Sequence, residues 1–262
     1  ISDYRVMFNN KKKLLYFTFV KLFFICLISN ISASDLRIKY NSKTFINFAG
    51  VKYHLIQNGI SPNRYIWIHG DEKTAEMALK HHIQNHNGIA FFIDNKTREI
   101  PYKSTIIDPN RIFSRNGTYH ALRKFQPDWA PGSLKKALDE IDLEREAFLN
   151  ILMPPKGGLL IALHNNFRGY NVMDEEANSQ LTSIKKSQNL RDFIICTDLK
   201  DFKKLAKGPF NVVLQNKTTI SDDGSLSWEA LRRGIRYLNV ETRLGYLTQQ
   251  KKMLKFIEEE LN

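Results

Sequence analysis

Apolar residues occur along the chain in short runs separated by amphipathic stretches. Seven runs predict strands: Val51–Gln57, Arg64–His69, Ile89–Asp94, Leu159–His164, Asp192–Thr197, Asn211–Gln215 and Arg236–Glu241. They are rich in Ile, Val, Leu, Phe and Tyr. Several are apolar at consecutive positions, the pattern of strands covered on both faces. Four stretches predict helices: Glu72–Asn85, Ser133–Leu152, Ser227–Arg233 and Leu247–Leu261. In the last, Leu247, Met253, Leu254, Phe256, Ile257 and Leu261 are the apolar positions. Strands alternating with helices predict an α/β fold: a single-domain three-layer sandwich with a mixed, largely parallel central sheet flanked by helices.

The N-terminus has a different pattern. Lys11, Lys12 and Lys13 precede the apolar stretch Leu14–Ile28, which carries one charge, Lys21, and Ser32-Ala33-Ser34 follows. Basic, then apolar, then small is the order of a secretory signal. The expectation is a signal peptide over residues 1–34, a catalytic domain over 35–262, and a secreted or periplasmic protein, with a retained membrane anchor as the alternative. Lys21 is costly at the centre of a bilayer. No later apolar run is long enough to span one, so no stable membrane span is expected after cleavage.

Charge and cysteine count narrow the partners. The 262 residues carry 39 Lys and Arg against 27 Asp and Glu, a net +12. Without residues 1–34, which hold five basic residues and Asp3, the charge would be +8. That surplus suits an anionic partner such as cell-wall polymer or lipid headgroups, or simply a solvated basic surface. The basic residues are scattered and form no stripe interleaved with aromatics, so no nucleic acid is expected as a partner. Two cysteines, Cys26 and Cys196, exclude a disulfide scaffold and a Cys-rich zinc cluster.

In open α/β sheets ligands bind beyond the carboxyl ends of the strands, so the polar residues that stop the apolar runs carry the candidate chemistry. Ile66-Trp67-Ile68 ends in His69-Gly70-Asp71-Glu72, Leu159–Leu163 ends in His164-Asn165-Asn166, and Leu238-Asn239-Val240 ends in Glu241. Ile106-Ile107 leads into Asp108-Pro109-Asn110-Arg111. Two His and one Glu, with a fourth position open to water, make a catalytic zinc set, and Glu241 is left free as a base. The His-x-x-Glu spacing alone is weak, because Glu72 in the first turn of a helix also suits the helix dipole. Gly70 permits a tight turn between the two residues.

Taken together, these blocks resemble the zinc carboxypeptidase superfamily, including its aspartoacylase and succinylglutamate desuccinylase branch, over roughly Val51 to Leu254. His69-Gly70-Asp71-Glu72 looks like the family's zinc pair, and His164 like its third ligand. Asp108-Pro109-Asn110-Arg111-Ile112-Phe113 is similar to the motif in which Asn and Arg grip a substrate carboxylate and Asp orients the first zinc histidine. The segment from Gly224-Ser225-Leu226-Ser227-Trp228 to Glu241 looks like the final block, which ends in the catalytic glutamate. The resemblance implies one Zn²⁺ per chain held by His69, Glu72 and His164, with Glu241 and Arg111 catalytic. Asn110, Arg111, Leu226 and Asp223 would bind substrate, Leu226 as an apolar wall and Asp223 as a lure for an amino group, while Asp108 would lie behind His69.

The chain also departs from the family pattern. The tyrosine found 22 residues before the catalytic glutamate in the digestive enzymes is replaced here by Thr219. The arginine that stabilises the oxyanion is open among Arg98, Arg115 and Arg123. The expected activity is cleavage of an amide or peptide bond beside a free carboxylate, as by a carboxypeptidase acting on peptides such as cell-wall stem peptides. The alternatives are an N-acyl amino acid deacylase, a non-catalytic peptide- or wall-binding relative, and a basic polyanion-binding protein.

Overall fold

The computed structural model describes residues 44–217 and 222–261. The expected signal peptide and Thr219 lie outside the described residues.

Among the described residues, eleven strands and six α-helices follow one another. The strands are β1 (Thr44–Phe48), β2 (Val51–Asn58), β3 (Arg64–Trp67), β4 (Gly88–Ile93), β5 (Ile100–Tyr102), β6 (Thr105–Ile107), β7 (Leu160–Asn166), β8 (Leu181–Ser183), β9 (Phe193–Cys196), β10 (Asn211–Leu214) and β11 (Tyr237–Arg243). The helices are α1 (Lys73–Asn85), α2 (Arg115–Phe125), α3 (Pro131–Leu152), α4 (Leu199–Leu205), α5 (Leu226–Arg232) and α6 (Leu247–Leu261). All seven predicted strands and all four predicted helices are present.

Nine strands form one sheet in the order β1-β2-β4-β3-β7-β11-β9-β10-β8. The four adjacent central strands β4, β3, β7 and β11 run parallel. β9 and β2 run against them, β10 follows β9, and the edge strands β1 and β8 turn back to the central direction. The result is one α/β domain with a mixed sheet in which six strands share a direction.

Every residue of β7, β9 and β10 is buried, which explains their unbroken apolar runs. One group of helices, α1, α4 and α6, packs together against the sheet; α2 and α3 form another. Phe148 of α3 anchors the second group, stacking on Phe48 at 4.8 Å and meeting Tyr53 and Phe91.

The topology sets the carboxyl ends of β3, β7 and β11 side by side, so His69, His164 and Glu241 emerge at one edge of the sheet. In the β7–β11 register Glu241 lies directly opposite His164. Asp108 arrives differently from the others. It follows β6, which pairs only with β5 in a separate two-stranded sheet.

Candidate metal centre

The turn after β3 brings the first two polar residues into place. Gly70 is needed there for space rather than for a left-handed backbone, because a Cβ would lie 2.3 Å from the Asn95 carbonyl oxygen. Glu72 occupies the N-cap of α1, yet its side chain makes no capping hydrogen bond. It turns inward instead. Oε1 lies 2.9 Å from His69 Nδ1, and Oε2 lies 3.1 Å from His164 Nδ1. The helix-capping role that the sequence allows for Glu72 is therefore not the one its side chain takes.

His69, Glu72 and His164 are all buried, and one ligand atom from each lies within 4.8 Å of the others. The two imidazole Nδ1 atoms are 3.3 Å apart. Two nitrogens and a carboxylate facing one point are a donor set for a divalent cation such as zinc. His69 Nε2 is taken by Asp108 Oδ1 at 2.9 Å, which fixes the ring and leaves Nδ1 for a metal. Burial opposes charge on His69, but Glu72 and Asp108 outweigh it and raise its pKa to about 9. Burial likewise opposes charge on the two carboxylates; the two imidazoles overcome it at Glu72, and His69 with Arg98 and Arg111 at Asp108, so both sit well below the usual carboxylate range. This donor set fits a bound metal ion.

Glu241 stands one strand away and is 6% exposed. Asn239 Nδ2 and Asn166 Nδ2 donate to its two oxygens, each at 3.2 Å. Burial pushes its pKa up, and the charge of Glu72 adds to the rise, against His164. The carboxylate is thus poised to accept a proton at milder pH than an exposed glutamate.

A cavity of about 430 Å³ opens over these residues. Arg111 lines it, 3.6 Å from Asp223, and its side chain is 40% exposed. Asn110 also lines it, but its Oδ1 accepts the Leu226 amide at 3.0 Å and so ties two loops together. Leu226 is not brought to the cavity. Its side chain is 1% exposed within the core, and Ser225, Ser227 and Trp228 line the cavity in its place. The expected Leu226 wall is replaced by two serines and an indole because α5 begins at Leu226 and turns that side chain inward.

Of the three arginines left open by the sequence, only Arg98 reaches the cavity. Its Nη1 is 3.0 Å from Glu72 Oε1, and its Nη2 is 3.6 Å from Asp108 Oδ2. Arg115 pairs with Asp139 and Asp142, and Arg123 with Tyr119.

The sequence did not flag Tyr170 or Glu175. Both lie on the segment after β7 and line the cavity, joined by a 2.6 Å hydrogen bond from the phenol to Glu175 Oε1. Burial, with Glu241 and Glu175 nearby, pushes the Tyr170 phenol far up, so it remains a donor. A phenol thus reaches the site from the segment after β7. Gly169 beside it, only five residues beyond His164, was the available signal.

No family model matches the chain, and no curated protein does. Among solved structures, the apo structure of the ectoine utilization protein EutE (DoeB) from Ruegeria pomeroyi is similar over 79% of this chain and 59% of that one, with a TM-score of 0.39 and 13% identity. The chain therefore spans less than two thirds of that protein, and so slight a likeness carries no weight for activity.

Proposed function

We propose that this protein is a metal-dependent hydrolase that cleaves an amide bond beside a free carboxylate, acting on small N-acylated amino acids. One observation carries the proposal: the buried group of His69, Glu72 and His164 with Glu241 directly opposite His164 on the neighbouring strand. The order of the motifs, similar to the zinc carboxypeptidase superfamily, supports it, and zinc is the expected ion.

An ion held by His69, Glu72 and His164 would supply Lewis-acid polarisation of the scissile carbonyl and acidify a water. Glu241 takes the proton of the attacking water and returns it to the leaving nitrogen as the carbon–nitrogen bond breaks. The guanidinium of Arg111, at the cavity wall, suits the substrate carboxylate and sets the register of the bond to be cut. Arg98, the cation beside Glu72, is placed to balance charge developing on the carbonyl oxygen. Tyr170, whose one proton goes to Glu175, can accept a hydrogen bond from the bound substrate through its phenol oxygen.

The cavity's volume suits a ligand of amino-acid size. The segment carrying Tyr170 and Glu175 forms part of its wall, which favours a small acylated amino acid over a polymer. Peptides with a free C-terminus are the second reading. The exposed Phe167 and Arg168 at the same wall favour it, since they would meet a longer chain.

Purified protein should contain about one zinc per chain and hydrolyse N-acyl amino acids faster than matched peptides. Glu241→Gln should lower kcat by about 10²–10⁴-fold with the metal retained. Absence of bound metal after reconstitution defeats the proposal, and unchanged turnover in Glu241→Gln removes the base.

A further inference from the structure

A second cavity of about 360 Å³ lies between α1 and α6, lined by none of the residues that line the metal-centre cavity. On α6, Thr248, Lys251, Lys252 and Lys255 lie on one helical face. On α1 and its C-cap, His81, His82 and His86 turn toward them, and Ala78 and Leu254 complete the lining.

No carboxylate lines this cavity. Glu76 pairs with Lys73 and Lys80, away from the lining, whereas Glu258 holds the lining His82 and Glu259 lies 3.6 Å from the lining Lys255 in an exposed pair. Lys251 and Lys252 have no acidic partner among the described residues. Two neighbouring ammonium groups, Lys251 and Lys252, with no acid of their own repel each other and attract anions.

The cavity also has a flat wall. His82 is 3% exposed and clamped by Glu258, and its ring stacks on His86 at 4.2 Å with 11° between the planes. The His86 Nδ1 donates to the His82 carbonyl, which fixes that ring too. A metal does not suit this place: the His82 Nε2 is already committed to Glu258, and three ammonium groups would repel a dication. Among the described residues, only the His69 group gathers three ligand atoms within 4.8 Å.

We propose that the groove between α1 and α6 binds a small phosphate-bearing molecule, the lysines taking the phosphate and the stacked imidazoles and apolar lining taking its body. Lysine is a point-charge phosphate binder, and flat rings stack on aromatic faces.

Equilibrium titration of the full chain with inorganic pyrophosphate and with adenosine diphosphate tests this. Saturable binding of either at millimolar concentration or below is expected, and the tighter of the two identifies free phosphate or a phosphate ester as the source. Lys251→Gln with Lys252→Gln should weaken binding by at least about tenfold. Lys124→Gln on the exposed face of α2 should leave it unchanged, as should His69→Ala, which rules out phosphate sitting on the metal. If the double variant melts early, Lys252→Gln alone, an exposed position, should give a smaller loss in the same direction. The proposal is overturned by absence of saturable binding, by equal losses in Lys124→Gln, by loss in His69→Ala alone, or by binding only to anionic lipid vesicles.

Discussion

Asp108 does two jobs with one carboxylate. Its Oδ1 accepts the Asn110 amide at 2.8 Å, capping the 3₁₀ turn Pro109–Arg111, and also meets His69 Nε2 at 2.9 Å. One oxygen thus serves both the turn and the histidine. Asp108→Asn keeps an oxygen for the cap but removes the charge that holds His69. Metal affinity should fall by about 10–100-fold in a chelator competition with little change in melting temperature, and unchanged affinity would refute the orienting role. Glu241 allows a prediction with a sign. A base works only when ionised, so activity is lost as pH falls through its pKa, and burial places that limb above the ordinary glutamate range. Asn239 Nδ2 stabilises the ionised form by donating to it. Asn239→Ala should therefore move the acid limb of kcat/KM to still higher pH, and a limb that stays put or moves down contradicts this. Leu226 shows where residue-scale reading stops, because one position's helical phase decides whether a side chain faces the cavity or the core.

At the scale of elements, the long periodic segments were legible and the short polar ones were not. The boundaries of α6 match the prediction, and β7 and β11 match within two residues at each end, because strong burial patterns mark them. α2 was missed: its sequence RNGTYHALRKF opens with poor helix formers and is mainly polar, and it is held by the Ser114 hydroxyl accepting the Gly117 amide at 3.0 Å. Three-residue strands such as β5, β6 and β8 give too short a pattern for periodicity to register. The loops that frame the cavity depend on glycines whose role is invisible without the partner chain segment. Gly224 has φ +75° and carries its hydrogen atoms where a Cβ would sit 2.3 Å from the Arg111 carbonyl oxygen; its own carbonyl accepts the Phe113 amide at 2.9 Å. Gly224→Ala should push the Arg111 loop away from the Ser225 segment. The expected result is about 1–3 kcal/mol lower stability by denaturant titration, with a raised KM, since Arg111 loses its place beside the substrate carboxylate. An alanine variant as stable and active as the wild type would show that the loops are not packed this tightly.

Across the whole molecule, one centre joins segments that are distant in sequence. His69 follows β3, His164 lies near the end of β7, Glu241 near the end of β11, and Asp108 follows a separate small sheet. The folded chain brings together buried groups of both signs, and the unfolded chain has no such assembly. A metal that binds only the folded form therefore stabilises it by mass action, by about 2.7 kcal/mol at a free concentration one hundred times the dissociation constant. Chelation should lower the melting temperature, zinc should restore it, and His164→Ala should remove the difference. The linkage to pH has a definite direction. Glu72 and Asp108 hold a proton on His69 up to a pKa of about 9, and a metal must displace the proton from Nδ1. Metal affinity should therefore rise with pH toward that value and fall as the solution is acidified, with proton release on binding measurable as a buffer-dependent calorimetric heat. The metal-dependent part of the melting temperature should shrink in parallel on acidification. A stabilisation by zinc that is independent of pH, or that survives in His164→Ala, would place the ion elsewhere on the protein.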